Sequence, residues 1–152
     1  MSIITPFLLL VTFSCPSGFL QERPQEDRVL IKAAEFFRTQ EPQAEKRYLR
    51  FGEGTAGERK HSVSSVTNIP IFPDSNFLEC PEDFKEACKL KSGVDLMIVF
   101  PWEPELKDGQ AEVTAEIYLR TEEGLVAKEV KLRLFLEEGR WTDPEVVKIT
   151  YY

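Results

Sequence analysis

Residues 111–136 have the sequence AEVTAEIYLRTEEGLVAKEVKLRLFL, and this stretch decides the fold. Apolar and polar residues alternate over 111–119, and again over 126–136, where only Lys128 breaks the series. A period of two is typical of strands that bury one face and expose the other. The stretch therefore predicts two half-buried antiparallel strands joined by a tight turn.

The apolar faces and the position of the glycine also predict how these two strands pair. A two-residue loop at 123–124 would place Ile117 opposite Val130, so that both side chains face the same core. The same register would place Glu116 opposite Lys131 on the solvent face, where opposite charges attract. We therefore predict this register for the first hairpin.

A second turn and a last strand complete the predicted meander. Glu138 and Gly139 form the next candidate turn, which would place Leu136 opposite Trp141. Apolar residues at alternating positions up to Tyr151 then indicate a final strand, and Pro144 predicts a bulge or a break in it.

Helical and irregular segments are predicted before the meander. Leu30, Ala33, Ala34 and Phe37 recur at helical spacing, which predicts an amphipathic helix over 27–38. A second short helical segment is predicted over 44–51, and a long polar loop with a weak strand at 61–66 is predicted over 52–68. Residues 69–73 contain two prolines and predict an edge segment, whereas 94–100 are nearly all apolar and predict a buried strand.

These elements predict an α+β domain in which N-terminal helices pack on a curved antiparallel sheet that ends in a C-terminal three-strand meander. This order resembles the cone-shaped, cystatin-like superfamily of nuclear transport factor two, in its exported bacterial lipoprotein-type branch. Gly139-Arg140-Trp141 before the final strand is similar to the closing hairpin common there. The resemblance covers 27–152, is architectural, and carries over no functional residue. The cystatin inhibitors are a similar alternative, although their Gln-x-Val-x-Gly loop is absent.

The N-terminus predicts export. Residues 3–15 are apolar or uncharged, and the first charged side chain is Glu22. The run is shorter than the about 20 residues of a membrane-spanning helix but matches the apolar region of a signal peptide. No Lys or Arg precedes it, so an apolar first element packed on the domain is the alternative. We predict a leader and tether over 1–21 and a single domain over 22–152.

Three cysteines add further predictions. Cys15-Pro16-Ser17-Gly18 resembles the lipid-attachment site of bacterial lipoproteins, which implies a lipid anchor on Cys15; plain cleavage is the alternative. Cys80 and Cys88 remain as an even pair, which favours a disulfide in an oxidising compartment. A continuous helix over 81–88 would hold their Cα atoms about 12 Å apart and would prevent the bridge.

Composition limits the possible partners. Asp and Glu outnumber Lys and Arg by 26 to 19, and the basic residues alternate with acidic ones, so nucleic acid is not expected as a partner. The glycines of 52–57 match a dinucleotide fingerprint only formally, because a helical segment is predicted before them where a strand is required and because Glu53 and Glu58 would repel a pyrophosphate. The lone His61 offers no paired ligand spacing. We therefore predict no cofactor and no metal site, and contact with a membrane only through a lipid anchor.

The sequence supports a function only in outline. Asp95, at the start of an apolar strand, is the one candidate catalytic acid, the role that an acid plays in isomerase members of the resembled superfamily. Trp102 and Trp141 are expected to pack in the fold. Tyr118 and Phe135 are predicted to stand exposed on the solvent face of the meander, opposite Glu129 and Glu112, as a partner-binding patch.

We therefore expect a non-catalytic envelope or secreted module that binds a protein or a small apolar ligand. An isomerase-like or hydratase-like enzyme, and an inhibitor or immunity-type protein, are the alternatives. The sequence does not predict the oligomeric state.

Overall fold

The computed structural model describes residues 23–82 and 87–152. In chain order the elements of this part are α1 (Gln25–Gln40), β1 (Arg47–Phe51), α2 (Gly57–Thr67), β2 (Leu78–Glu79), β3 (Lys89–Leu90), β4 (Leu96–Phe100), β5 (Glu105–Lys107), β6 (Gln110–Thr121), β7 (Gly124–Glu137), β8 (Arg140–Trp141) and β9 (Glu145–Tyr151). The fold is α+β, as the sequence predicts: two helices accompany a curled sheet of seven strands within this part of the chain.

The sheet is mixed, whereas the sequence predicts an antiparallel one. Its strand order is β1-β4-β6-β7-β8, with β5 on β6 and β9 on β7. β1 pairs with β4 in parallel, and the other pairs of the sheet are antiparallel. A parallel neighbour needs a long crossover. Residues 52–95, which contain α2 and the short hairpin of β2 and β3, supply it.

The two central strands of the meander form as predicted, but their register differs. Thr121 pairs with Gly124, so the two loop residues are 122 and 123 instead of 123 and 124. Ile117 therefore lies opposite Lys128, and the predicted pairing with Val130 is wrong. Gly124 has a φ of 129°, so the glycine serves as the first residue of β7 and not inside the loop. A shift by two residues preserves the face of each side chain, which is why the buried set is still correct.

The charge pairing that relied on this register is also wrong. Glu116 lies opposite Glu129, not Lys131, and Lys131 lies opposite Thr114. The second turn is confirmed, because Leu136 lies opposite Trp141. Glu138 and Gly139 have φ values of 50° and 76°, as a two-residue type I′ hairpin requires.

The last strand is interrupted as predicted. β8 ends at Trp141 and β9 begins at Glu145, with Pro144 between them. A bulge between Lys131 and Leu132 of β7 absorbs one extra residue of β9. All residues of β9 are exposed.

The helix over 27–38 is confirmed as α1, but two other predictions for the N-terminal half are wrong. Residues 47–51 form β1 and not a helix, since Leu49 and Phe51 are buried at alternating positions beside β4. Residues 57–67 form α2 and not a loop. Only Val63 and Thr67 of this helix are buried, so its sequence shows little apolar periodicity. Asn68, with a φ of 56°, ends the helix.

The core fills the side of the sheet that carries α1, which we call the inner face. α1 contributes the fully buried Val29, Ala33 and Ala34, and the small alanines permit a close approach to the strands. β4, β6 and β7 contribute side chains that are equally inaccessible, among them Ile98, Ile117 and Leu132. A second, smaller core lies on the opposite side, the outer face, around Phe77, Leu90, Val94, Met97 and Val99.

Candidate functional site: a groove beside the disulfide hairpin

An open groove of about 1250 Å³ lies on the outer face, and we call it the outer groove. One wall is the disulfide hairpin, which we define as β2, β3 and the Cys80–Cys88 bridge. The other wall is formed by Tyr118 of β6, Leu125 and Ala127 of β7, and Tyr152 beyond β9. The lining mixes apolar side chains and two phenols with four charged side chains, those of Lys89, Glu116, Arg120 and Glu123, a composition that suits an amphipathic ligand.

Tyr118 is held in the groove by a ring contact and a hydrogen bond. Its ring packs edge-on against Phe77, with ring centroids 4.8 Å apart, and its hydroxyl donates to Glu116 Oε2 at 3.1 Å. Burial, together with the nearby Glu116 carboxylate, raises the pKa of Tyr118 to about 12. The phenol is therefore neutral at physiological pH and acts as a hydrogen-bond donor.

Tyr152 has a similar arrangement on the other side of Ala127, which lies opposite Tyr118. Its backbone N–H donates to the carbonyl of Ala127 at 3.0 Å, and its hydroxyl donates to Glu129 Oε2 at 3.5 Å. Desolvation and the Glu129 carboxylate raise the pKa of Tyr152. Both phenols therefore stay protonated beside a carboxylate.

The raised pKa of Tyr118 predicts a loss of stability at alkaline pH. The unfolded chain loses the phenol proton near pH 10.0, whereas the folded protein holds it to about pH 12. Because the folded state then binds more protons, the contribution of Tyr118 to the free energy of unfolding should be constant below pH 10.0 and should fall between these two values. The fall should be modest, since the ring is only half-buried. Urea denaturation over this pH range checks it, and Tyr118→Phe should flatten the profile; an unchanged profile would contradict the assignment.

The disulfide hairpin is held to the sheet at its base. Cys80 and Cys88 are bridged, with Cα atoms 4.1 Å apart instead of the about 12 Å considered for the helical alternative. Arg120 of β6 donates to the carbonyls of Leu90 at 3.0 Å, Lys91 at 2.9 Å and Val94 at 3.1 Å. One guanidinium therefore links β6 to the disulfide hairpin and to the segment that follows it.

We expect the bridge to contribute substantially to stability. Replacing both Cys80 and Cys88 by Ser should lower the free energy of unfolding by about 2.5 kcal/mol, the chain-entropy value for a bridge that closes a loop of this size. The sequence separation is 8 residues. Chemical denaturation of the variant and of the reduced wild type measures the effect, and the two should agree. A reduced wild type as stable as the oxidised protein would refute this expectation.

Asp95 lies outside the outer groove. Its Oδ2 accepts a hydrogen bond from the backbone N–H of Lys46 at 2.9 Å, and its Oδ1 lies 3.9 Å from Arg120 Nε. The carboxylate therefore fixes the entry to β1 and pairs with the arginine that anchors the hairpin. These are contacts that position the backbone, and the structure does not bring another acid or a tyrosine to this group among the residues it describes.

The two aromatics predicted as one partner-binding patch are far apart. Tyr118 lies opposite Ala127, not Glu129, and Phe135 lies opposite Gln110, not Glu112. Along β6 they are separated by eight residues, which is roughly 27 Å in an extended strand. Phe77, just before the disulfide hairpin, packs against the ring of Tyr118. The predicted opposite residues, Glu129 and Glu112, are therefore wrong, and only Tyr118 lies in the outer groove; partner binding by the two rings stays a prediction.

The remaining candidates from the sequence are scattered. Trp141 is buried, as predicted, whereas Trp102 is 62% exposed and does not pack in the core. His61 is exposed on α2. Cys15 and the predicted leader lie outside the described residues. Over 23–82 and 87–152, no group of three or more His, Cys, Asp or Glu is arranged to hold a metal, and no helix is long and apolar enough to cross a membrane.

Comparison with known proteins identified no similar protein. No protein-family model, no curated protein and no solved structure matches this chain. The resemblance to the superfamily of nuclear transport factor two stays a prediction from the order of the elements.

Proposed function

We propose that this protein is a non-catalytic binding module, exported to the cell envelope or secreted, which holds a protein segment or a small apolar ligand in the outer groove. The observation that supports this proposal is that the open space lies on the outer face of the sheet and not on the inner face. The inner face of the curled sheet is filled by α1, so that Ala115, Ile117 and Leu132 are at most 1% exposed. The outer groove, in contrast, is open and offers about 1250 Å³ beside half-buried apolar side chains.

The chemistry of the groove favours binding over turnover. Leu125, Ala127 and Leu90 supply apolar contacts, whereas Tyr118 and Tyr152 each supply a phenol at one side. A ring that is already packed against Phe77 loses little conformational entropy when a ligand contacts it. Export is proposed from the apolar run at 3–15 and from the Cys80–Cys88 bridge, because disulfides persist in oxidising compartments.

The alternatives have less support. An isomerase-like or hydratase-like enzyme would use Asp95 as its acid, and that carboxylate does not line the groove and is engaged by the Lys46 N–H and by Arg120. An inhibitor or immunity-type protein would use the same groove only if the ligand is a protein segment. A protein segment and a small apolar ligand are therefore tested with separate probes.

Two variants of the groove test the proposal. Ala127→Arg places a long charged side chain between Tyr118 and Tyr152, and Tyr118→Ser removes the ring. Each should weaken binding by about 2 kcal/mol, roughly thirtyfold, because a buried aromatic anchor is lost or blocked. The probes are a neutral solvatochromic dye for the apolar ligand and an array of short extended peptides for the protein segment.

Phe135→Ser is the matched control, because it removes a half-buried ring from the same face at the opposite end of β6 and β7. It should change the affinity less than twofold. Circular dichroism establishes that each variant is folded, and Ala127→Arg remains informative if Tyr118→Ser is unstable. Equal binding by wild type and Ala127→Arg would refute the outer groove as the site.

A further inference from the structure

A second concave surface lies at the N-terminal end of α1, away from the outer groove. It has a volume of about 510 Å³ and is bounded by α1, the last turn of α2 and β8. Its rim carries four basic side chains and its floor is apolar. We call it the basic groove: the rim is Arg23, Arg28, Lys32 and Arg140, and the floor is Ile31, Val66 and Trp141.

Part of this rim is held in place by hydrogen bonds. Arg28 Nη2 donates to the carbonyl of Gly139 at 2.7 Å, which links α1 to the turn before β8. Gln25 Oε1 accepts from Trp141 Nε1 at 2.7 Å and from Arg28 Nη1 at 3.5 Å. The arginine and the indole are therefore oriented together before any ligand binds.

The positive charge of the basic groove is almost uncompensated. Lys32 pairs with Asp143 at 3.6 Å, but the side chain of Asp143 is 96% exposed, so solvent screens this pair. Arg23 and Arg140 form no ion pair with any described residue. Four cations converge here although the whole chain has a net charge of -7. A small anion at this place would be attracted, whereas a long polyanion would meet the acidic remainder of the surface.

The basic groove lies close in sequence to the N-terminal segment, and this proximity indicates which kind of anion it could meet. Arg23 follows Cys15, the last residue of the apolar run at 3–15, by eight residues. Eight residues of fully extended chain span at most about 29 Å. A lipid on Cys15, or an apolar run kept in a bilayer, would therefore hold the rim of the basic groove within this distance of the membrane surface.

We propose that the basic groove binds the phosphate headgroup of an anionic phospholipid at the membrane to which the N-terminal segment leads. Arginine recognises phosphate with paired N–H donors, and an indole beside it suits the boundary between headgroup and acyl chain. The proposal shares with the proposed function the export of the chain, but it concerns a different surface and orients the domain relative to the membrane. With α1 toward the bilayer, the outer groove, on the other side of the sheet, remains open to its ligand.

Co-flotation with vesicles tests the proposal on the full chain. Vesicles of phosphatidylcholine with 30 percent or so of phosphatidylglycerol are compared with vesicles of phosphatidylcholine alone, so that binding by the apolar run cancels. The site variant is Arg23→Gln with Arg140→Gln, neither of which removes a hydrogen bond of the described structure. It should lower the preference for anionic vesicles by about tenfold or more, since each basic residue near such a surface contributes appreciably.

The matched control is Lys107→Gln with Lys148→Gln, which changes the net charge equally at two exposed positions outside the groove. It should change the preference less than twofold, and the preference of the wild type should decrease with added salt. An equal loss in both variants, or no preference in the wild type, would overturn the proposal. Binding of inorganic phosphate by the wild type without any preference for anionic vesicles would overturn the lipid assignment in favour of a soluble phosphate ligand. Ala127→Arg should leave the preference unchanged, so the two proposed sites can fail independently.

Discussion

Gly52→Ala is expected to lower the free energy of unfolding by about 3 kcal/mol, the upper part of the range for forcing extra atoms into a packed site. Gly52 follows β1, and its N–H donates to the carbonyl of Phe100 at 2.9 Å. A Cβ at this position would overlap the carbonyl oxygen of Pro101 and would lie 2.9 Å from its carbonyl carbon. These are backbone atoms, which cannot rotate away as a flexible side chain can. The ends of β1 and β4 would have to separate.

Gly54→Ala is the matched control in the same loop, because a Cβ there meets nothing within 4 Å. It should change the stability by less than about 0.5 kcal/mol. Urea denaturation of both variants measures the difference. Equal stabilities of the two variants would show that the parallel pair of β1 and β4 tolerates a wider separation than the structure has.

The meander was predictable because its signal is local. Alternation over 111–119 and 126–136 corresponds to β6 and β7, and the turn at Glu138 and Gly139 gave the correct pairing of Leu136 with Trp141. The predicted register of the first hairpin is wrong because a glycine can lie either inside a two-residue loop or directly after it. Gly124 adopts its positive φ just after the turn, which shifts the register by two residues and leaves every face unchanged.

β1 and α2 were mispredicted for a different reason. The pattern of residues 47–51 is compatible with both a strand and a short helix, and the choice depends on β4, nearly fifty residues later in the chain. α2 is polar around most of its surface, with only Val63 and Thr67 buried, so periodicity could not reveal it. Tertiary contacts decide both elements.

The outer groove could be predicted only in part. The alternation placed Tyr118 on the outer face, and the pair of cysteines suggested a bridge, but no local signal shows that the disulfide hairpin packs beside Tyr118. Leu125 and Ala127 looked like ordinary strand residues, and Tyr152 like a chain end. A groove made from separate segments appears only when those segments are brought together.

The contacts that hold the polar helix α2 centre on Arg59. Its Nε donates to Asp27 Oδ1 at 2.6 Å, its Nη1 donates to Glu103 Oε2, and its Nη2 lies 3.7 Å from Glu26 Oε2. Asp27 is only 5% exposed although it is charged. Burial alone would lower the pKa of Arg59, but the carboxylates outweigh it and the pKa is raised. One guanidinium thus joins α1, α2 and the segment after β4.

Arg59→Met should therefore lower the free energy of unfolding by about 3 kcal/mol, because the buried carboxylate of Asp27 loses its cationic partner while the apolar volume is largely kept. Lys60→Met, on the same helix and without an ion pair in the described structure, is the control and should cost less than about 0.5 kcal/mol. The double variant Arg59→Met with Asp27→Asn should recover part of the loss, since the charge that lacked a partner is then gone. Urea denaturation of the three variants measures these differences. If Arg59→Met is no less stable than Lys60→Met, or if removing the charge of Asp27 recovers nothing, this ion cluster does not hold α2 in place. The packing of Val63 and Thr67 must then do so, together with the hydrogen bond from Arg38 to the carbonyl of Thr67.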